Sequence, residues 1–176
     1  VKVVHQDNLD GTGSAVQAAD RIEEEFFVVF GDVLVSERDL RNLKNKFENK
    51  ESKVSMLATG EERPEKFGVL SITNDEVDSI MEKPEEPDNT LVNTGIYIFK
   101  PEVFDVLENL EGDQELLVDA VSQFAEKDQA TFELVEDYWI DIGDLKTLRR
   151  ADRIKREFEI TDTEISDSAE VHESAE

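Results

Sequence analysis

The chain has 176 residues, 38% of them hydrophobic, which is enough for one ordinary domain with its own core. Its formal net charge of -25, with acidic residues in every segment, excludes nucleic acid and anionic membrane surfaces as natural partners, and the absence of cysteine excludes disulfides and thiolate chemistry. No apolar run approaches the roughly 20 residues needed to cross a bilayer and no signal-peptide pattern occurs, so a cytoplasmic protein is expected, its acid coat suited to a salt-rich interior.

Val1 is not an initiator methionine, and the chain is expected to lack an amino-terminal part. Val1 to Val4 reads as a strand running into the polar loop from Gln6 to Gly13. Ser14 can cap a helix whose Ala15, Val16, Ala18, Ala19 and Ile22 make one stripe. The run Phe26-Phe27-Val28-Val29-Phe30 follows and ends at Gly31-Asp32. Five bulky residues in succession cannot alternate between core and water, so a central, parallel strand covered on both faces is expected. Ser36, with Asp39 three residues on, opens a second helix carrying Leu40, Leu43 and Phe47, and Lys53 to Thr59 alternates like a half-buried strand. A hairpin is predicted from Val69 to Met81 around Asn74-Asp75, then the loop Glu82-Lys83-Pro84-Glu85-Glu86-Pro87 and a strand from Gly95 to Phe99.

Pro101 suits the first turn of a short helix with Val103, Phe104 and Leu107, and Asp113 can start a longer one with Leu117, Ala120, Val121 and Phe124. Two strands are predicted at Ala130 to Val135 and Tyr138 to Ile142, and Asp144 caps a helix bearing Leu145, Leu148 and Ile154. Beyond it, Ile165 to Glu170 and Val171 to Glu176 match at a period of six, with an aliphatic residue leading each hexad. That is either the start of a hexapeptide-repeat β-helix or an acidic tail.

Asp32 and four constellations bear on function. Asp32, at the carboxyl end of the apolar strand, stands where open α/β sheets collect ligands; it is a metal-ligand or catalytic candidate, or else it caps the next helix or starts a turn. The Gln6 to Gly13 loop offers an amide and flexible backbone ahead of a helix, suited to a base edge or phosphate, or to an ordinary turn. Glu82-Lys83-Pro84 sets a carboxylate beside an ammonium, with Pro84 expected to hold Lys83 extended and the two side chains apart. Asn93-Thr94-Gly95 gathers small polar groups at a predicted strand start, and Trp139-Ile140-Asp141-Ile142-Gly143 repeats the pattern of a carboxylate beside apolar residues and glycine. Two carboxylates on one rim suggest Mg²⁺, because an acidic protein that handles phosphates needs a bridging cation.

Taken in order, Gln6 with Gly11, Gly31-Asp32, Phe67-Gly68-Val69, Glu82-Lys83-Pro84, Asn93-Thr94-Gly95 and Trp139 to Gly143 resemble the sugar-1-phosphate nucleotidylyltransferases, and the uniform acidity is similar to haloarchaeal versions. The resemblance implies an α/β fold with a Rossmann-like mixed, mainly parallel sheet and helices on both faces, incomplete at its amino terminus. A partial nucleotidyltransferase domain over residues 1-158 is expected, with a linker and the start of a left-handed β-helix over 159-176. It implies transfer of UMP or dTMP from UTP or dTTP to a sugar 1-phosphate, with release of pyrophosphate. Gln6, Gly11 and Thr12 would then bind the base, Asp32 and Asp141 would hold Mg²⁺, Gly68, Glu82 and Asn93 would bind the sugar, and Lys83 would contact its phosphate.

The family's glycine-rich triphosphate loop is absent from these residues, so the chain is expected to be a fragment without full activity, from a protein that forms a homo-oligomer when whole. Two other readings stay open: a non-catalytic binding or assembly subunit of the same fold, and a metal-dependent glycosyltransferase. The second wants an Asp-x-Asp pair, whereas Gly31-Asp32-Val33-Leu34 has one carboxylate.

Overall fold

The computed structural model describes residues 3–6, 11–19, 21–74, 76–110 and 116–157, and the statements below concern these. In chain order the elements are α1 (Thr12–Gln17), β1 (Phe26–Val29), β2 (Val33–Val35), α2 (Glu37–Asn49), β3 (Val54–Gly60), a 3-10 turn (Pro64–Lys66), β4 (Gly68–Thr73), β5 (Glu76–Glu82), β6 (Leu91–Phe99), α3 (Val103–Leu107), α4 (Leu117–Ala125), β7 (Ala130–Leu134), β8 (Trp139–Asp141) and α5 (Leu145–Glu157).

Six strands form one sheet in the order β1-β6-β3-β7-β5-β4, while β2 and β8 make a separate two-stranded ribbon. The expectation of a mainly parallel sheet is corrected here. Only β3 and β7 pair in parallel; β1–β6, β3–β6, β4–β5, β4–β6 and β5–β7 are antiparallel. The cause is β6, which inserts antiparallel between β1 and β3. These two strands run the same way, as their βαβ connection requires, without touching.

Helices cover both faces because strand residues alternate. Tyr97 and Phe99 of β6 join Val54, Met56, Phe104, Leu117, Val121 and Phe124 in the larger core, under α3 and α4. Ile96 and Ile98 face the other way, against Leu43 and Phe47 of α2 and Trp139 of β8. With both faces covered, β3 is buried along most of its length, not half-buried as its alternation suggested.

β1 is the second correction. Among the described residues it is the edge strand, and Phe27 and Val29 are 43% and 47% exposed, so the apolar run does not mark a strand covered on both faces. Val3 and Val4 lie in no strand and are exposed. Ser14 sits within α1, not at its cap: Gly11 is the N-cap, without a side-chain bond, and the Ser14 hydroxyl donates to the Gly11 carbonyl at 3.0 Å. Ile22 lies beyond α1 and is exposed.

Other local readings stand. Ser36 caps α2 by accepting from Asp39 N–H at 3.0 Å, and Asp144 caps α5 by accepting from Thr147 N–H at 2.7 Å. The hairpin forms as β4 and β5, with Asn74 in the left-handed turn region at φ 51°. Asp113, as the start of α4, and both hexads fall outside the described residues.

Candidate functional site

The site grows from the middle of β6. β1 runs beside β6 until Val29 faces Ile96; Phe30 N–H then donates to the Gly95 carbonyl at 3.0 Å, and the chain leaves the sheet at Gly31-Asp32. Gly95 has φ 76°, and a Cβ there would lie 2.6 Å from the Phe30 ring, so only glycine lets the two strands approach this closely. Asn93, Thr94 and Gly95 are thus interior to β6, not at its start. On the other side Trp139 Nε1 donates to the Thr94 carbonyl at 3.0 Å, which anchors β8 to the same spot.

The ribbon brings the two aspartates together. Val33 pairs with Asp141, and Ile142 N–H donates to the Asp32 carbonyl at 2.8 Å. Burial, then the charges of Asp32 and Asp144, hold the Asp141 carboxyl above the usual carboxylate range. A carboxylate whose ionised form is disfavoured by burial and by a neighbouring carboxylate is suited to Mg²⁺, which commonly takes one or two carboxylates and completes its shell with water and substrate phosphate. Among the described residues no group of three or more histidines and carboxylates is placed to cage a metal, so a cation here would depend on such shared ligands.

The far wall comes from the β4–β5 hairpin. Gly68 pairs with Glu82, and a Cβ on Gly68 would lie 3.2 Å from the Glu82 carboxylate; the glycine therefore leaves room for that side chain. Lys83 departs from expectation. Its φ is 44°, left-handed and not extended, and its Nζ lies 3.4 Å from Glu82 Oε1, so the pair is not held apart. The Lys83 N–H donates to the Phe67 carbonyl at 3.0 Å, which prolongs the hairpin ladder by one bond while the chain turns away toward Pro84. Lys83 borders the cleft with its side chain 65% exposed.

Asn93 is fixed from two sides. Its Oδ1 accepts from Gly95 N–H at 3.1 Å and its Nδ2 donates to the Tyr97 hydroxyl. Burial, together with the Glu82 charge, pushes the Tyr97 phenol up, so it stays neutral at any ordinary pH.

Asp32, Gly68, Glu82, Lys83, Asn93 and Asp141 therefore line one cleft of about 160 Å³, with Phe30, Thr94, Gly95 and Trp139 as its apolar and backbone walls. Lys66 lines it too. Sequence reasoning missed Lys66, whose only signal was its place beside Phe67-Gly68. Gln6, Gly11 and Thr12 are not in this lining. They cluster elsewhere: Gln6 Nε2 donates to the Gly11 carbonyl at 3.0 Å and to Ser14 Oγ at 2.6 Å, and Thr12 Oγ1 accepts from Leu117 N–H at 3.0 Å to cap α4.

A family model described as nucleotidyl transferase matches residues 1–157. The bifunctional protein GlmU of Methanococcus aeolicus is 32% identical over 149 residues, which cover 81% of this chain and 35% of that protein. A bifunctional sugar-1-phosphate nucleotidylyltransferase/acetyltransferase of Sulfurisphaera tokodaii is 31% identical over 147 residues, covering 80% and 35%. A crystal structure from Bacillus anthracis that carries the name glucose-1-phosphate thymidylyltransferase superposes with a TM-score of 0.77 at 28% identity, covering 86% of this chain and 63% of that one. The chain spans about a third of the length of these curated relatives.

Proposed function

The chain belongs to the nucleotidyl transferase family, and we propose that it carries the metal- and sugar-phosphate-binding part of a sugar-1-phosphate nucleotidylyltransferase. The observation that supports this most directly is the single cleft lined by Asp32, Asp141, Lys83, Glu82, Asn93 and Gly68, which offers carboxylates for a cation, an ammonium for a phosphate and an amide with a carboxylate for hydroxyls.

In the proposed reaction an oxygen of the sugar 1-phosphate attacks the α-phosphorus of UTP or dTTP, a new P–O bond forms in line, the bond to the β-phosphate oxygen breaks and pyrophosphate leaves. Asp32 and Asp141 would hold Mg²⁺, which when bound supplies charge neutralisation between two anions that otherwise repel. Lys83 contacts the attacking phosphate and holds it for attack. Glu82 accepts from sugar hydroxyls, the pre-oriented Asn93 amide adds a second polar contact, and Gly68 keeps the space open. For the base we propose the Gln6–Gly11–Thr12 loop. Gln6 spends its amide nitrogen inside the loop, which leaves the amide oxygen to accept from the N3–H that uracil and thymine share. The full-length protein is proposed to act as a homo-oligomer.

Calorimetric titration of the chain with glucose 1-phosphate and N-acetylglucosamine 1-phosphate, with and without Mg²⁺, tests the reading. Saturable, Mg²⁺-assisted binding that Lys83→Ala abolishes is expected. Binding indifferent to both Mg²⁺ and Lys83 would overturn the assignment.

A further inference from the structure

β6 does not run evenly past β3. Met56 pairs with Tyr97 and Ala58 with Asn93, so two steps along β3 match four along β6, and Thr94, Gly95 and Ile96 bulge opposite Leu57. Residues four apart in a regular strand lie roughly 13 Å from one another. Across this bulge Asn93 Nδ2 nevertheless reaches the Tyr97 hydroxyl and donates to it, and Gly95, at φ 76°, supplies the left-handed turn that lets it. The backbone of the bulge has anchors of its own. Thr94 Oγ1 donates to the Leu57 carbonyl at 2.9 Å, and Trp139 Nε1 and Phe30 N–H donate to the Thr94 and Gly95 carbonyls at 3.0 Å each. The Asn93 side chain, among the described residues, has two holds: Gly95 N–H on its Oδ1 and the Tyr97 hydroxyl on its Nδ2.

Tyr97 is fully buried and is not in the cleft lining, so it meets no ligand itself. Its ring stacks on Phe99 at 5.4 Å and lies 6.1 Å from the Phe30 ring, so packing fixes where its hydroxyl stands. A backbone N–H can only donate, so Gly95 must face the amide oxygen, and Tyr97 then takes the nitrogen. These two bonds define the edge that Asn93 turns to the cleft it lines, and they leave it one N–H and one oxygen lone pair to offer. We propose that Tyr97 is a positioning residue, whose buried hydroxyl holds the Asn93 amide across the β6 bulge so that a sugar in the cleft meets it in one fixed orientation. This rests on the reading of Asn93 as a sugar contact.

Tyr97→Phe keeps the packed ring and removes only the hydroxyl, and two readouts on the whole chain test its role. Without ligand, nuclear magnetic resonance follows hydrogen exchange of the Asn93 side-chain NH₂ pair, identified by its loss in Asn93→Ala. That exchange should be about tenfold faster or more in Tyr97→Phe, as the loss of one hydrogen bond allows. The Val54 and Val135 backbone amides, bonded to the Gln129 and Ala58 carbonyls, should keep their protection. Calorimetric titration with glucose 1-phosphate and N-acetylglucosamine 1-phosphate, in the presence of Mg²⁺, should show binding weakened about three- to tenfold in Tyr97→Phe. Adding Tyr97→Phe to Asn93→Ala should cause no further loss, because the hydroxyl acts through the amide. Mn²⁺ binding should not change. Ser55→Ala removes another fully buried hydroxyl, bonded to Thr131 and outside the cleft lining, and should keep the unsubstituted affinity. Unchanged exchange at Asn93, additive losses in the double variant, a parallel loss of Mn²⁺ or an equal loss in Ser55→Ala would overturn the proposal. If the unsubstituted chain binds neither sugar phosphate, the sugar reading of the cleft fails by itself, and the exchange at Asn93 still decides whether Tyr97 holds the amide.

Discussion

Val33 pairs directly with Asp141 across the β2–β8 ribbon, which sets the Asp32 and Asp141 carboxylates on one cleft although distant parts of the chain supply them. The ribbon is short and lies outside the main sheet, so its position depends on the Trp139 bond to Thr94 and the Ser36 N–H bond to the Tyr138 carbonyl.

The carboxylate pair makes stability depend on pH. The folded state holds the Asp141 proton more tightly than the unfolded chain does, because of burial and then the Asp32 charge. Its stabilising contribution is therefore present at low pH and is lost as pH rises from the ordinary carboxylate range through the raised value. Above that window the repulsion is a standing cost, so Asp141→Asn should raise stability at pH 7 without metal, by up to about 0.5 kcal/mol as for a partly exposed site. It should also remove Mn²⁺ binding followed by electron paramagnetic resonance. A less stable variant that keeps the ion would contradict the pairing.

Gly95→Ala should destabilise the fold by about 2–4 kcal/mol, since the residue has φ 76° and its new methyl would meet the Phe30 ring. Gly31→Ala is the matched control, with nothing within 4 Å of the added carbon, and should stay within about 0.5 kcal/mol. Urea unfolding of both variants measures the contrast, and similar losses at the two glycines would refute the close-approach argument.

Asp39 is fully buried and accepts from Ser36 Oγ at 2.7 Å, Glu136 N–H at 2.9 Å and Asp137 N–H at 3.3 Å. It thereby ties the start of α2 to the loop that delivers β8. Asp39→Ala strands those donors and should cost about 2–3 kcal/mol. Hydrogen exchange should show the 136–137 amides losing protection first; exchange that speeds up uniformly across the chain would argue against a local tie.

Salt should stabilise the chain as a whole. The net charge of -25 repels itself in dilute buffer, and the Debye length falls from about 10 Å at 0.1 M to about 3 Å at 1 M. Melting temperature should therefore rise with KCl over this range, and a flat profile would show that the fold has absorbed its charge in another way.

Single stretches of sequence were enough for several features, all set by near neighbours. Ser36 and Asp39 are three residues apart, and Asp144 and Thr147 likewise, so their caps are written locally. The order of motifs also identified the family, and Gly31-Asp32, Glu82-Lys83, Asn93 and Asp141 were legible as candidates because each sits at a break in an apolar pattern. Strand neighbours were not legible. That β6 separates β1 from β3, and that Phe27 and Val29 face outward, follows from long-range pairing that hydrophobic periodicity does not encode. The left-handed turn at Lys83 overrode the extended bias of a residue before proline, because the Phe67 carbonyl holds its N–H from across the hairpin. Tertiary structure alone decided that Lys66 lines the cleft, since residues scattered along the chain become one wall only once the strands between them are in register.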